Sequence, residues 1–151
     1  MDADFLDLLS AFDEREVEYV LLGGYALGFH GLRRATGDLD LLVRATPENA
    51  DRIIEALDSY GGPPHIRRES FLPSGDEPPT GVWFGREPLR VDLLTSVSGL
   101  SWDEAFADSA MLETAGVSVR VLGVRALLKC KRAAGRPKDL GDITFLEDLL
   151  A

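Results

Sequence analysis

The sequence predicts an α/β (α+β) fold: a small mixed β-sheet flanked by helices, with closing helices at the C-terminal end. Three observations carry this expectation. Short apolar runs that read as strands alternate with amphipathic runs as far as Thr95. Two helical segments separated by Gly135 occupy the last part of the chain. At 151 residues and 45% hydrophobic content, the chain has material for one core, so residues 1–151 are expected to form a single domain.

In chain order, Asp4 to Arg15 places Phe5, Leu8, Leu9 and Phe12 at helical spacing. Glu18 to Leu22 reads as a buried strand ending at Gly23-Gly24, and Tyr25 to Leu32 as a helix opening directly after the glycines. Asp38 to Val43 reads as a second strand. Thr46 caps a helix with Pro47 in its first turn and Ile53, Ile54 and Leu57 facing inward. That helix is broken after about Tyr60 by Gly61-Gly62-Pro63-Pro64. Ser74 to Thr80, rich in Pro, Gly and acid, is a loop. Val82 to Phe84 and Leu89 to Thr95 form a strand pair around the turn at Gly85-Arg86-Glu87-Pro88. Ser101 starts a short helix, and Met111 to Val121 is strand-like with Gly116 in a turn. Val124 to Ala134 and Pro137 to Leu150 are the closing helices.

Composition narrows the function classes. A net charge of −10 argues against broad grip on DNA or RNA, which needs a basic face. No apolar run reaches membrane-spanning length, so no membrane association is expected. Met1-Asp2-Ala3-Asp4 lacks the basic and apolar character of a signal peptide. Cys130 is the only cysteine, which excludes an internal disulfide and suits a reducing compartment; a cytoplasmic location is expected.

The residues that carry chemistry are acidic. Asp38 and Asp40 stand two apart on a predicted strand, so both side chains leave the same face while Leu39, Leu41 and Val43 turn to the core. Two carboxylates roughly 7 Å apart repel by about 2–3 kcal/mol at an effective dielectric near 20. A cation, or protonation of one acid, relieves this. Mg²⁺ takes one or two carboxylates plus phosphate oxygens, which matches Asp-x-Asp. Asp92, in the apolar run Arg90-Val91-Asp92-Leu93-Leu94, joins them if its strand lies beside that of Asp38, as a third ligand or as the acceptor of a proton from an attacking hydroxyl. The alternative for all three is solvated acids at strand ends.

Gly23-Gly24 would let backbone N–H groups approach a phosphate; the alternative is a tight strand-to-helix turn and nothing more. The pattern is neither a Walker A loop nor a dinucleotide fingerprint. Arg33, Arg34 and Thr36 precede the acidic pair; an arginine can steer a triphosphate and the hydroxyl can bond a phosphate oxygen, or the segment is a solvated loop. His30 reads as a packed helix residue, and Cys130 as inert core. Lys129, Lys131, Arg132, Arg136 and Lys138 form a local basic cluster suited to an anion or to ordinary helix surface charge.

Leu22-Gly23-Gly24-Tyr25-Ala26-Leu27, followed by Arg34-Ala35-Thr36-Gly37-Asp38-Leu39-Asp40-Leu41-Leu42, resembles the signature of the DNA polymerase β-like nucleotidyltransferase superfamily. The closer likeness is to its minimal bacterial members, the AbiEii-like and MNT-type toxin–antitoxin nucleotidyltransferases. Arg90-Val91-Asp92-Leu93-Leu94-Thr95 resembles their third-carboxylate strand. Leu127 to Asp142, with Lys131 and Gly135-Arg136-Pro137-Lys138-Asp139, resembles their C-terminal helical motif. The resemblance implies the nucleotidyltransferase fold and transfer of a nucleoside monophosphate from an NTP to an acceptor hydroxyl on a protein, a tRNA or a small molecule. It implies that Gly23 and Gly24 hold the triphosphate, with Lys131 near the nucleotide; Arg34 and Thr36 stand beside these as nucleotide-binding candidates from the reading of the residues above. Asp38, Asp40 and Asp92 would bind Mg²⁺, with Mn²⁺ as an alternative. It also implies a toxin–antitoxin or phage-defence role and a cognate helical partner protein. Gly24 stands where many members carry serine, so a hydroxyl contact to phosphate is lost. Two rivals are a non-catalytic nucleotide- or partner-binding module of the same fold and a metal-dependent phosphohydrolase.

Overall fold

The computed structural model describes residues 1–33, 36–63, 65–86 and 88–151. Arg34, expected near the triphosphate, lies outside the described residues, as do Ala35 of the motif, Pro64 of the helix break and Glu87 of the hairpin turn. The architecture is a mixed α/β fold with a six-stranded mixed sheet flanked by helices.

The elements are α1 (Ala3–Glu14), β1 (Tyr19–Leu22), α2 (Gly23–Phe29), β2 (Asp38–Val43), α3 (Pro47–Tyr60), β3 (Val82–Arg86), β4 (Leu89–Leu94), α4 (Trp102–Ala107), β5 (Ser109–Thr114), β6 (Val117–Leu122), α5 (Val124–Ala134) and α6 (Leu140–Leu150). Short 3₁₀ turns at Arg68–Phe71 and Pro137–Asp139 complete the set. The strand order is β3-β4-β2-β1-β6-β5. Within it β1–β2, β3–β4 and β5–β6 are antiparallel, whereas β2–β4 and β1–β6 are parallel.

Local chemistry explains most of the boundaries. Thr46 accepts from the Asn49 N–H at the start of α3, and Gly61 ends it in the left-handed conformation. A reciprocal Ser101–Glu104 capping box starts α4. Ala115 and Gly116, both at positive φ, form the two-residue turn between β5 and β6. The last expected helix divides: Pro137–Asp139 is a 3₁₀ turn, and the α-helix begins at Leu140. The helix after β1 also differs from expectation. It starts at Gly23 itself and ends at Phe29, two turns in all.

The core gathers Phe5, Leu8, Leu9 and Phe12 of α1, all of β1, and Ile53 and Leu57 of α3. Ile54 is half-buried against it. Leu39, Leu41 and Val43 are buried as expected, and so is Leu42, which makes the second half of β2 apolar on both faces. Asn49 is fully buried and fully used. Its side-chain carbonyl accepts from the Glu18 N–H at 2.7 Å, while its amide donates to Glu18 O and Arg44 O, each at 2.9 Å. It therefore ties α3 to the start of β1 and the end of β2. Among the described residues, no helix is long and apolar enough to cross a membrane.

Candidate functional site

The topology explains why glycines and acids distant in sequence become neighbours. Because β1 and β2 are antiparallel, the end of β1 lies beside the start of β2, with Leu22 opposite Asp40. Because β4 runs parallel to β2, its start lies beside the same point. Asp40 pairs with Asp92, and Asp38 with Arg90. On β3, Trp83 pairs with Asp92. One row of side chains thus crosses four strands on a single sheet face: Trp83, Asp92, Asp40 and Leu22. Asp38 joins it from two residues earlier on β2.

A cavity of about 840 Å³ opens on this face. Its lining includes Gly23, Gly24, Thr36, Asp38 and Asp40 from one part of the fold, and Cys130, Lys131, Arg136, Lys138, Asp139 and Asp142 from α5, α6 and the turn between them. The structure therefore brings together Gly23, Gly24, Thr36, Asp38, Asp40 and Lys131 in one cavity. Asp92, although in register with Asp40, is not part of the cavity wall. Cys130 is half-buried and lines the cavity, contrary to the expectation of inert core; burial pushes its thiol up from its ordinary value.

The glycines are required by close approach. Gly23 sits at φ +72°, and a Cβ there would run into the Asp40 carboxylate. A Cβ at Gly24 would lie 2.9 Å from the Thr36 hydroxyl oxygen and 3.0 Å from its Cβ. The space a side chain at position 24 would need is thus filled by Thr36.

The two groups of acids in the cavity have opposite electrostatics. The Asp40 carboxyl is pushed up to about 6, first by burial, then by the charges of Asp92 and Asp38; Arg90 and Lys131 oppose the rise. Asp139 and Asp142 are each compensated. Lys131 Nζ lies 3.2 Å from Asp139 Oδ1 and 3.0 Å from Asp142 Oδ2, and its side chain is 13% exposed. Arg136 Nε donates to Asp139 Oδ2 at 2.7 Å. Burial pushes Asp139 upward, but the hydrogen bonds from Arg136 and Lys131 outweigh it and hold its carboxyl below the usual range.

The basic cluster seen in the sequence separates into two sets. Lys129 pairs with Glu104 and Arg132 with Glu147, all exposed, which is ordinary surface charge. Lys131, Arg136 and Lys138 line the cavity. His30 packs as expected: its Nε2 lies 2.8 Å from Leu122 O and ties α2 to β6.

Sequence reasoning passed over Arg90. Its Nε lies 3.2 and 3.1 Å from the two Asp92 oxygens, and its Nη2 lies 2.9 Å from Oδ1. The guanidinium also stacks over the Trp83 ring at 4.3 Å from its centroid. Arg90-x-Asp92 has the same spacing as Asp38-x-Asp40, and that spacing was the signal that could have found it.

The donor set is oxygen alone, which suits a hard divalent cation. The Asp40 carboxyl is raised first by burial and then by the like charges of Asp92 and Asp38, which a bound cation would offset. Among the described residues, however, no three His, Cys, Asp or Glu side chains form a group that could hold a metal ion. The fit is to a cation held by Asp38 and Asp40 together with ligand oxygens, Asp92 being occupied by Arg90. No protein-family model matches the chain, and no curated protein matches it.

Proposed function

We propose that the chain is a Mg²⁺-dependent nucleotidyltransferase with the nucleotidyltransferase fold, moving a nucleoside monophosphate from an NTP to an acceptor hydroxyl. The observation that carries this reading is the pairing of Asp40 with Asp92 across parallel strands, with Asp38 on the same face beside a glycine-walled, lysine-lined cavity. The cavity volume lies within the range of small-molecule sites, about 300–1,000 Å³.

In this reading Gly23 and Gly24 leave their backbone open to the triphosphate, and Thr36 offers a hydroxyl to a phosphate oxygen. Lys131 and Lys138 supply positive charge near the phosphates. Asp38 and Asp40 hold Mg²⁺, which when bound neutralises phosphate charge. Asp92, once released from Arg90, would join them as a third ligand and take the proton of the acceptor hydroxyl. The acceptor oxygen bonds to the α-phosphorus, the bond from that phosphorus to the bridging oxygen breaks, and pyrophosphate leaves. Catalysis is chiefly charge stabilisation and positioning. The acceptor is a protein, a tRNA or a small molecule. The sequence resemblance further supports a toxin–antitoxin or phage-defence role with a helical partner protein, and the single Cys130 suits a cytoplasmic setting.

The test is incubation with each α-labelled NTP, Mg²⁺ or Mn²⁺, and cell lysate. The expected outcome is a labelled acceptor together with metal-dependent release of pyrophosphate. Release of inorganic phosphate with no labelled acceptor would instead indicate a phosphohydrolase. A second reading, a module that binds nucleotide or a partner without turnover, is favoured by the engagement of Asp92 with Arg90. It predicts nucleotide binding without pyrophosphate.

A further inference from the structure

Arg90 and Trp83 form a unit whose construction needs explaining. Trp83 is 56% exposed, so burial does not account for it. It lies directly across from Asp92 on the edge strand β3, and its ring carries the Arg90 guanidinium at 4.3 Å. That guanidinium engages both oxygens of Asp92, whose side chain is only 17% exposed. Arg90 also stands in register with Asp38.

We propose that Arg90 is a resident counter-ion of the acidic row: a positioning residue, steadied by Trp83, that holds Asp92 and yields it when a divalent cation binds. This rests on the metal-dependent transferase reading and adds to it how the three acids are kept together without their metal. The physical argument is charge and occupancy. Three carboxylates on adjacent strands repel one another, and one guanidinium among them reduces that repulsion. The same guanidinium occupies the oxygens Asp92 would offer a cation, and it repels that cation. Arginine suits the task because its planar fork engages a carboxylate through two donors while its face rests on an aromatic ring.

The test is Mn²⁺ binding, followed by electron paramagnetic resonance and calorimetry, on the wild type, Arg90→Gln, Trp83→Ala and Asp40→Asn. Arg90→Gln is expected to bind Mn²⁺ about tenfold more tightly, as removal of a nearby like charge requires. Trp83→Ala is expected to tighten binding about two- to fivefold, because the fork loses its aromatic support. Unchanged or weaker binding by Arg90→Gln overturns the inference. Should that variant fail to fold, unchanged or weaker binding by Trp83→Ala, a substitution at an exposed position, overturns it equally. Mn²⁺ that binds neither the wild type nor Arg90→Gln, or that binds Asp40→Asn as well as the wild type, overturns the metal-dependent reading itself and the inference with it. Mn²⁺ that depends on Asp40 but ignores Arg90 overturns the inference alone.

Discussion

Two pairs of aspartates line the same cavity and are built in opposite ways. Asp139 and Asp142, 3% and 5% exposed, are matched to Lys131, and Asp139 to Arg136 as well. Asp38 and Asp40 form no ion pair among the described residues. Accordingly the Asp139 carboxyl is held low and the Asp40 carboxyl is pushed up to about 6. A compensated cluster is structure: removing a partner strands a buried charge. A pair with no ion pair of its own, in which Asp40 is raised first by burial and then by like charges and only partly offset by Arg90 and Lys131, carries an electrostatic cost that a bound cation would relieve, and such costs concentrate where proteins act on ligands.

The sharpest way to break the comparison is Asp40→Asn, which removes one charge with little change of shape. Transfer activity is expected to fall by about a thousandfold or more, since phosphoryl chemistry depends on fixed charge at the reacting centre. Stability is expected to move the other way. Folding raises the Asp40 carboxyl from its ordinary value of 3.8 to about 6, so the folded protein binds the proton more tightly than the unfolded chain. Ionised Asp40 therefore destabilises the fold, fully above about pH 6 and not at all below about pH 4, by at most about 3 kcal/mol. In chelator, the Asp40→Asn variant should melt at a higher temperature than the wild type at pH 8, and the gain should vanish as pH falls through that window. A variant that melts lower than the wild type at pH 8 would place Asp40 among the structural acids instead.

Lys131→Met tests the other cluster. It leaves Asp139 with Arg136 but removes the cation shared with Asp142. A loss of about 2–3 kcal/mol is expected in urea unfolding, somewhat below the range for a fully buried pair because Lys131 retains some exposure. The pH dependence should also change. A depressed carboxyl contributes stability above its unfolded value and loses it as pH falls through the folded one, so the acid limb of the wild type should be flattened in the variant. A weaker KM for the NTP with little change in stability would mean that Lys131 serves the ligand more than the fold.

The difference between the clusters also separates what the sequence could reveal from what it could not. Asp38, Asp40 and Gly23-Gly24 were legible because each lies within a few residues of its own local signal: alternation on a strand, or a turn after an apolar run. Thr46, Gly61, Ser101 and Gly135 marked helix ends for the same reason. The match of Asp92 to Asp40 was conditional on β4 lying next to β2, and local spacing does not encode which strands become neighbours. Insertion of β6 beside β1 was equally invisible. The ionic cluster of Lys131, Asp139 and Asp142 was seen only as a run of basic residues, because charge counting cannot tell which lysine turns toward the cavity and which toward solvent. Nothing local marked Asn49 as more than a residue of the first turn of its helix. Its buried role depends on two backbone segments that only the folded chain brings within reach.

Gly24→Ser is the finest probe, because it concerns the wall between the glycines and the acidic pair. The resemblance marks Gly24 as a missing hydroxyl; the geometry shows Thr36 filling the space that a serine would claim. A serine introduced there must therefore displace Thr36, at a cost of about 1–2 kcal/mol typical of overpacking. Thr36→Ala should recover part of that cost, since the 2.9 Å clash with its hydroxyl disappears, and a coupling of about 0.5 kcal/mol or more is expected in the double-mutant cycle. If Thr36 supplies the hydroxyl to phosphate, Thr36→Ala alone weakens NTP binding, and adding Gly24→Ser in the double variant restores it. Additive effects on both stability and binding would mean that the two positions do not share one space, and the exchange of a hydroxyl from position 24 to position 36 would be a coincidence of packing.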